Sequence, residues 1–220
     1  MLVLLPVFSL CFLSCTGNKR RDNIAQVVKE WVGKEIRFAE GLDCTSMGKD
    51  IACIDLYSES YKILLYVDSV GCTSCKFNLV DWKSIMNESD TIFIQKPEFI
   101  FIFQPKKNGE KELHTVLRNN GFRHPVFVDK ENQVYRINKF PSNPDYQCFL
   151  LDKDNKVVMV GNPSLIKGIW SLYKKVISEN EKKVITMGKV GDCSSLKEKT
   201  DFSPIIHIIK KGGSMSMQFV

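Results

Sequence analysis

Two hydrophobic periods alternate along this chain. Residues 61–68, Tyr-Lys-Ile-Leu-Leu-Tyr-Val-Asp, and 98–104, Glu-Phe-Ile-Phe-Ile-Phe-Gln, are nearly unbroken apolar runs. Runs of this kind predict central strands covered on both faces, so the phenylalanines between 99 and 103 need no ligand to explain them. Between the two runs, residues 72–86 place Leu79, Trp82 and Ile85 on one face of a predicted helix. Residues 110–120 predict a second helix, with Leu113, Val116 and Leu117 on one side and Gly121 as its stop. A third strand is expected at 125–129, then a small helix or loop through Asn138. Residues 147–151 and 157–160 predict a strand pair joined by the turn Asp152-Lys153-Asp154-Asn155-Lys156. A closing helix over 165–179 stacks Leu165, Ile169, Leu172 and Val176, with Trp170 and Tyr173 as packing or boundary aromatics. Upstream, 24–32 reads as a short helix and 42–56 as a β-hairpin around Gly48-Lys49.

Composition narrows the class. With 220 residues, 44% apolar and 25% charged, the chain can bury one core plus short extensions. Its net charge of +6 is spread along the sequence rather than clustered, which describes a solvated surface and predicts no nucleic-acid partner. Neither a Gly-rich phosphate loop nor a nucleophile elbow for Ser-His-Asp catalysis is present in the sequence.

Eight cysteines make the compartment matter. Residues 1–13 are almost wholly apolar, too short for a stable bilayer span, and polar residues follow, which reads as an export signal. Phe12-Leu13-Ser14-Cys15 resembles the lipobox of bacterial lipoproteins, which implies cleavage before Cys15 and lipid on its sulfur. The alternatives are an ordinary signal peptide or a buried N-terminal helix. One acyl chain anchors only marginally, whereas lipoproteins carry several. After such processing Cys44, Cys53, Cys72, Cys75, Cys148 and Cys193 remain, in a compartment that permits disulfides.

Cys72 and Cys75 stand in Gly71-Cys72-Thr73-Ser74-Cys75-Lys76, where the first apolar strand ends, a glycine turns the chain and a helix pattern starts. Two thiols three positions apart at a helix start can close a tight disulfide, and the unpaired N–H groups and dipole favour the first sulfur as thiolate. Redox use is the leading reading. Half of a zinc site, a structural disulfide or idle thiols are the alternatives, and the scattered His114, His124 and His207 do not complete a zinc site. Lys76 could lower a sulfur pKa or be plain solvated surface. Cys44 and Cys53 flank the hairpin turn and fit a cross-strand disulfide or, as the preferred reading, two free buried thiols. Cys148 is read as packing ahead of a third redox thiol, and Cys193 as exposed in a polar tail.

The element order resembles that of thioredoxin-like domains over residues 31–178. Its most specific pieces are Ile63-Leu64-Leu65-Tyr66-Val67 leading to the Cys72/Cys75 pair, and Phe149-Leu150-Leu151-Asp152, which is similar to the strand and turn of TlpA-like and peroxiredoxin-like proteins. More narrowly, the chain resembles exported thioredoxin-fold lipoproteins of Bacteroides-type bacteria. The implied fold is α/β, a central mixed sheet flanked by helices with an N-terminal hairpin extension. The implied organisation is a signal peptide and lipobox at 1–15, a linker and short helix at 16–30, the thioredoxin-like domain at 31–180, and a tail at 181–220 that is an added β-segment or a disordered end.

By that resemblance Cys72 attacks a partner disulfide and Cys75 resolves the mixed disulfide, with Thr73 and Ser74 tuning the pair. Gly71 stands where a Trp commonly precedes the first Cys, and Tyr66 where thioredoxin keeps a carboxylate. Asp68 is the nearest acid, a proton carrier to Cys75 through water or a turn cap. Tyr146 falls at the position of the family's cis-proline, with Pro144 two residues early. The peroxidatic Pro-x-x-x-Thr-x-x-Cys pattern is absent. The expected activity is thiol-disulfide exchange by an exported, lipid-anchored protein of the periplasm or outer membrane, without cofactor or resident metal. Its expected partners are protein thiols and disulfides, an upstream electron donor and the membrane. A non-catalytic adaptor on the same fold is the second reading, and metal sequestration by the pair with Cys148 the third.

Overall fold

The computed structural model describes residues 16–53, 60–69, 77–107 and 109–189. The chain divides into Met1–Lys183 and Val184–Val220. Helix α1 (Thr16–Trp31) is followed by β1 (Asp43–Ser46), β2 (Lys49–Ile51) and β3 (Lys62–Val67). Then come α2 (Leu79–Ile92), β4 (Glu98–Phe103), α3 (Glu110–Asn119), β5 (Val126–Val128) and α4 (Gln133–Asn138). A 3-10 turn (Pro144–Tyr146), β6 (Cys148–Leu151), β7 (Val157–Val160) and α5 (Lys167–Lys189) complete the order.

The seven strands form one sheet in the order β2-β1-β5-β4-β3-β6-β7. β3, β4 and β5 are parallel, while β6 returns antiparallel to β3 and β7 antiparallel to β6. This is the thioredoxin-like arrangement, a mixed sheet flanked by helices, and the β1–β2 hairpin extends it by pairing β1 antiparallel to β5. Because side chains alternate across a strand, the continuous apolar runs feed two cores. Leu64, Tyr66, Ile100, Ile102 and Phe149 face Trp31 and Phe140 on one side. Phe99 and Phe101 meet Trp82 edge-on, and Phe103 packs on Phe77, on the other.

The chain leaving α1 pairs with the start of β7 and the turn before it. Gly33 N donates to Val157 O at 2.7 Å, Val157 N to Lys34 O at 2.9 Å, and Ile36 N to Asn155 O at 2.9 Å. At the opposite end the hairpin turns at Met47 and Gly48, both with positive φ (55° and 71°). A Cβ on Gly48 would collide with the His114 carbonyl, so the hairpin tip sits directly against α3.

Four expectations need correction. Helix α1 begins at Thr16, well upstream of residue 24. The helix expected over 72–86 is interrupted, because Asn78 adopts a left-handed conformation (φ 40°, ψ 48°) before α2 starts at Leu79. Helix α5 starts at Lys167, leaving Leu165 exposed, and buries Trp170, Tyr173 and Ile177 in place of the 165/169/172/176 row. Cys44 and Cys53 are joined by a disulfide (Cα–Cα 5.2 Å) rather than held as two buried thiols. Cys44 pairs with Ile51 across the hairpin, so the strand that carries Cys53 returns within bridging distance of Cys44, and Cys53 itself stays exposed.

Candidate functional site

β3 ends at Val67, in register with Phe103 of β4, and continues through Asp68 and Ser69. The chain is next described at Phe77, a fully buried helical residue whose ring lies tilted 5.7 Å from that of Phe103. Gly71, Cys72, Thr73, Ser74, Cys75 and Lys76 lie between these two points, outside the described residues. Cys15 and Cys193 also lie outside them, as does the tail beyond Lys189.

What borders this gap is well defined. The start of β6 is bound to β3 by Tyr66 N donating to Gln147 O at 2.9 Å, which sets the 3-10 turn beside the end of β3. Tyr146 closes that turn half-buried, its amide donating to Asn143 O at 3.1 Å. Gln147 is buried, and its Nε2 donates both to Asp68 Oδ2 at 3.1 Å and to Pro141 O at 2.8 Å. Asp68 is therefore held by the segment facing it across the strand pair. Sequence reasoning missed Gln147, whose one signal was its place immediately before a buried strand.

A cleft of about 290 Å³ opens here, lined by Leu65, Val67, Pro144, Asp145, Gln147 and Asn162 among others. Its far wall is fixed by Asn162, whose Oδ1 accepts from Ser164 N and Oγ at 2.9 and 2.8 Å. Ser164 O in turn accepts from Asn78 Nδ2 at 2.8 Å, which ties the start of α2 to that wall.

Behind the strand end, Tyr66 is buried, with its hydroxyl 3.3 Å from Gln104 Oε1 and 3.4 Å from Asn132 Oδ1. Burial, and then the nearby negative charges of Asp129 and Asp68, push this phenol far above its ordinary pKa, so it stays neutral. Asp129 is committed to α4, accepting from Gln133 N at 2.6 Å and Val134 N at 2.9 Å. Of the three groups, Asp68 is the carboxylate nearest along the chain to the thiols.

Cys148 is fully buried on β6, and burial raises its thiol far above the usual range. The Tyr173 hydroxyl donates to Gly161 O at 2.8 Å, and its contact with Cys148 offsets only part of the effect of burial on that thiol. This is the environment of an inert packing thiol. Among the described residues no three His, Cys, Asp or Glu side chains gather as a metal site, and no helix is long and apolar enough to cross a membrane.

No protein-family model matches this chain, and no curated protein matches it. Solved structures do. The thioredoxin domain of a thiol-disulfide oxidoreductase from Bacteroides vulgatus is 13% identical, covering 66% of this chain and 97% of its own, with a TM-score of 0.47. A PrxQ mutant from Xylella fastidiosa is 9% identical over 68% and 96%, with a TM-score of 0.47. A putative thiol:disulfide interchange protein DsbE from Chlorobium tepidum is 13% identical over 65% and 96%, with a TM-score of 0.45. The fold class rests on the strand order and register given above.

Proposed function

We propose that the protein is an exported thiol-disulfide oxidoreductase whose Cys72 and Cys75 exchange disulfides with protein substrates. The observation that supports this reading is the order along the chain: the two cysteines fall in sequence between Val67, the end of a central strand, and Leu79, the start of a helix packed on the same sheet. In the forward direction the Cys72 thiolate attacks one sulfur of a substrate disulfide, forming a mixed disulfide and expelling the other sulfur as a thiolate. Cys75 then loses its proton to the Asp68 carboxylate through water and attacks the Cys72 sulfur. The second substrate sulfur leaves, and Asp68 returns the proton to a departing thiolate. Two protein thiols have become one disulfide, and one substrate disulfide has become two thiols. A thiol donor of the same chemical class restores the reduced pair.

Export is supported by the 1–15 apolar leader and by the Cys44–Cys53 disulfide, a bond that persists in oxidising compartments. Lipid on Cys15 extends this to an anchored protein of the periplasm or outer membrane. A non-catalytic adaptor is the second reading, favoured by Tyr66 and Tyr146 at positions where the family keeps a carboxylate and a proline.

Equilibration of the purified protein in glutathione buffers with thiol trapping separates the two. Coupled, reversible titration of Cys72 and Cys75, and accumulation of mixed disulfides by Cys75→Ser in cell extract, are expected of the oxidoreductase. Independent or absent titration, with no trapped species, assigns the adaptor.

A further inference from the structure

We infer that the cleft between α1 and the 139–146 segment is a binding site for a short zwitterionic peptide, whose ammonium meets Glu30 and whose carboxylate meets Lys139. The site lies apart from the oxidoreductase reading and stands or falls without it.

The cleft holds about 440 Å³, within the range of small-ligand sites. One wall is a face of α1, where Gln26 and Glu30 stand one turn apart, as do Val27 and Trp31. The other wall is the chain from Lys139 to Tyr146, and it is fixed in place. Phe140 stacks on Trp31 with ring centres 5.9 Å apart, Pro141 O accepts from Gln147 Nε2 at 2.8 Å, and Asn143 Oδ1 accepts from Asp145 N at 3.0 Å. A ligand therefore meets walls that its binding does not have to order.

Glu30 and Lys139 both line this volume, yet among the described residues neither side chain forms an ion pair or a hydrogen bond. An acid and a base held apart in one cleft complement a molecule that carries both charges itself. Asn143 uses only its Oδ1 in the turn, which leaves its Nδ2 hydrogens as donors on the same wall as the base. Val27, Phe140 and Pro141 supply the apolar lining, which suits the carbon between the two termini of a peptide. An inorganic anion or a polyol would leave at least one of the charges unanswered.

Lys139 gives a second sign. It ends α4 in the left-handed conformation (φ 54°, ψ 56°), at a place that helices usually give to glycine or asparagine. Asparagine does occupy that conformation at Asn132 and Asn155. A lysine is the poorer choice for the backbone, so its reason lies in the ammonium it brings to the cleft.

The test titrates the full chain with L-alanyl-L-leucine and follows the amide resonances of Lys139 and Asn143 by NMR. Saturable shifts are expected, and the N-acetylated and C-amidated forms of the peptide should each bind about fivefold more weakly, the upper yield of an exposed ion pair. Glu30→Gln is expected to weaken the free peptide by the same factor and to erase its advantage over the acetylated form. Lys139→Gly should erase the advantage over the amidated form while raising the melting temperature, because glycine relieves the backbone. A variant that is more stable and binds less has not lost binding through its fold. Absence of saturable shifts, or equal affinity of the wild type for all three peptides, overturns the inference. So does a preference for free termini that survives in both variants.

Discussion

Asn78 reaches across from the start of α2 to donate its side-chain amide to Ser164 O at 2.8 Å, while also donating to Asp81 Oδ2 at 2.7 Å. One left-handed residue thus fastens the segment that follows the cysteine pair to the turn entering α5. Asn is among the few residues that adopt this conformation at small cost. Asn78→Ala is expected to lose about 2 kcal/mol of stability in urea unfolding, from backbone strain plus the two hydrogen bonds. Asn78→Gly keeps the backbone and is expected to lose about half as much.

The Cys44–Cys53 disulfide closes a loop of nine residues' separation on an edge hairpin. Its removal in a Cys44→Ala/Cys53→Ala variant is expected to cost about 2–3 kcal/mol by loop-closure entropy. Cys53 is exposed, so dithiothreitol reaches the bond. A reductant should therefore lower the wild-type melting temperature by more than that of the double variant.

Cys148 should resist iodoacetamide in the native protein and react once urea is added. Burial keeps its thiol neutral in the folded chain, whereas an unfolded thiol ionises near pH 8.5. The stability associated with this group is full below that pH and declines as pH rises above it, by up to about 1.4 kcal/mol per pH unit. Cys148→Ala should flatten the first part of that decline in denaturant titrations. The part set by Tyr66 and Tyr173, both also raised by burial, begins near pH 10 and should remain.

His124 gives the opposite slope. Its Nε2–H donates to Phe99 O at 2.6 Å and its ring meets Phe101 edge-on, and burial depresses its pKa despite the raising effect of that hydrogen bond. The unfolded chain takes up a proton near pH 6.5 that the folded chain refuses, so stability is full above that pH and falls as pH drops below it. In His124→Gln the acid decline between about pH 6.5 and 5 should be shallower.

How much of this was legible from sequence depended on how each residue is held. Strands β3, β4, β6 and β7 were readable because uninterrupted apolar runs admit little else, and Val157–Val160 lies where the turn residues 152–156 end. Helix α5 was readable as a helix, but its buried face was not. Its aliphatic row and its aromatic row lie one position apart, and the aromatic row won because Trp170 donates to Glu88 of α2 at 2.8 Å and Tyr173 reaches Gly161 O. The break at Asn78 depends on Ser164, a partner 86 residues away, which no local propensity encodes. Gln147 was invisible for the same reason: its significance comes from Asp68 and Pro141 meeting it in space. The chemistry of Cys72 and Cys75 was proposed from spacing alone, and the described residues supply its frame rather than its sulfur geometry.

Residues 33–36 pair at the start of β7 and occupy there hydrogen-bonding groups that a sheet otherwise offers to any passing strand. The other margin is β2, three residues long and bearing Lys49 and Asp50, too brief and too charged to recruit a neighbour. Unpaired strand edges are where one sheet joins another chain. Each border of this sheet thus carries a feature that discourages edge-to-edge pairing, which lowers the tendency of the folded chain to seed aggregation.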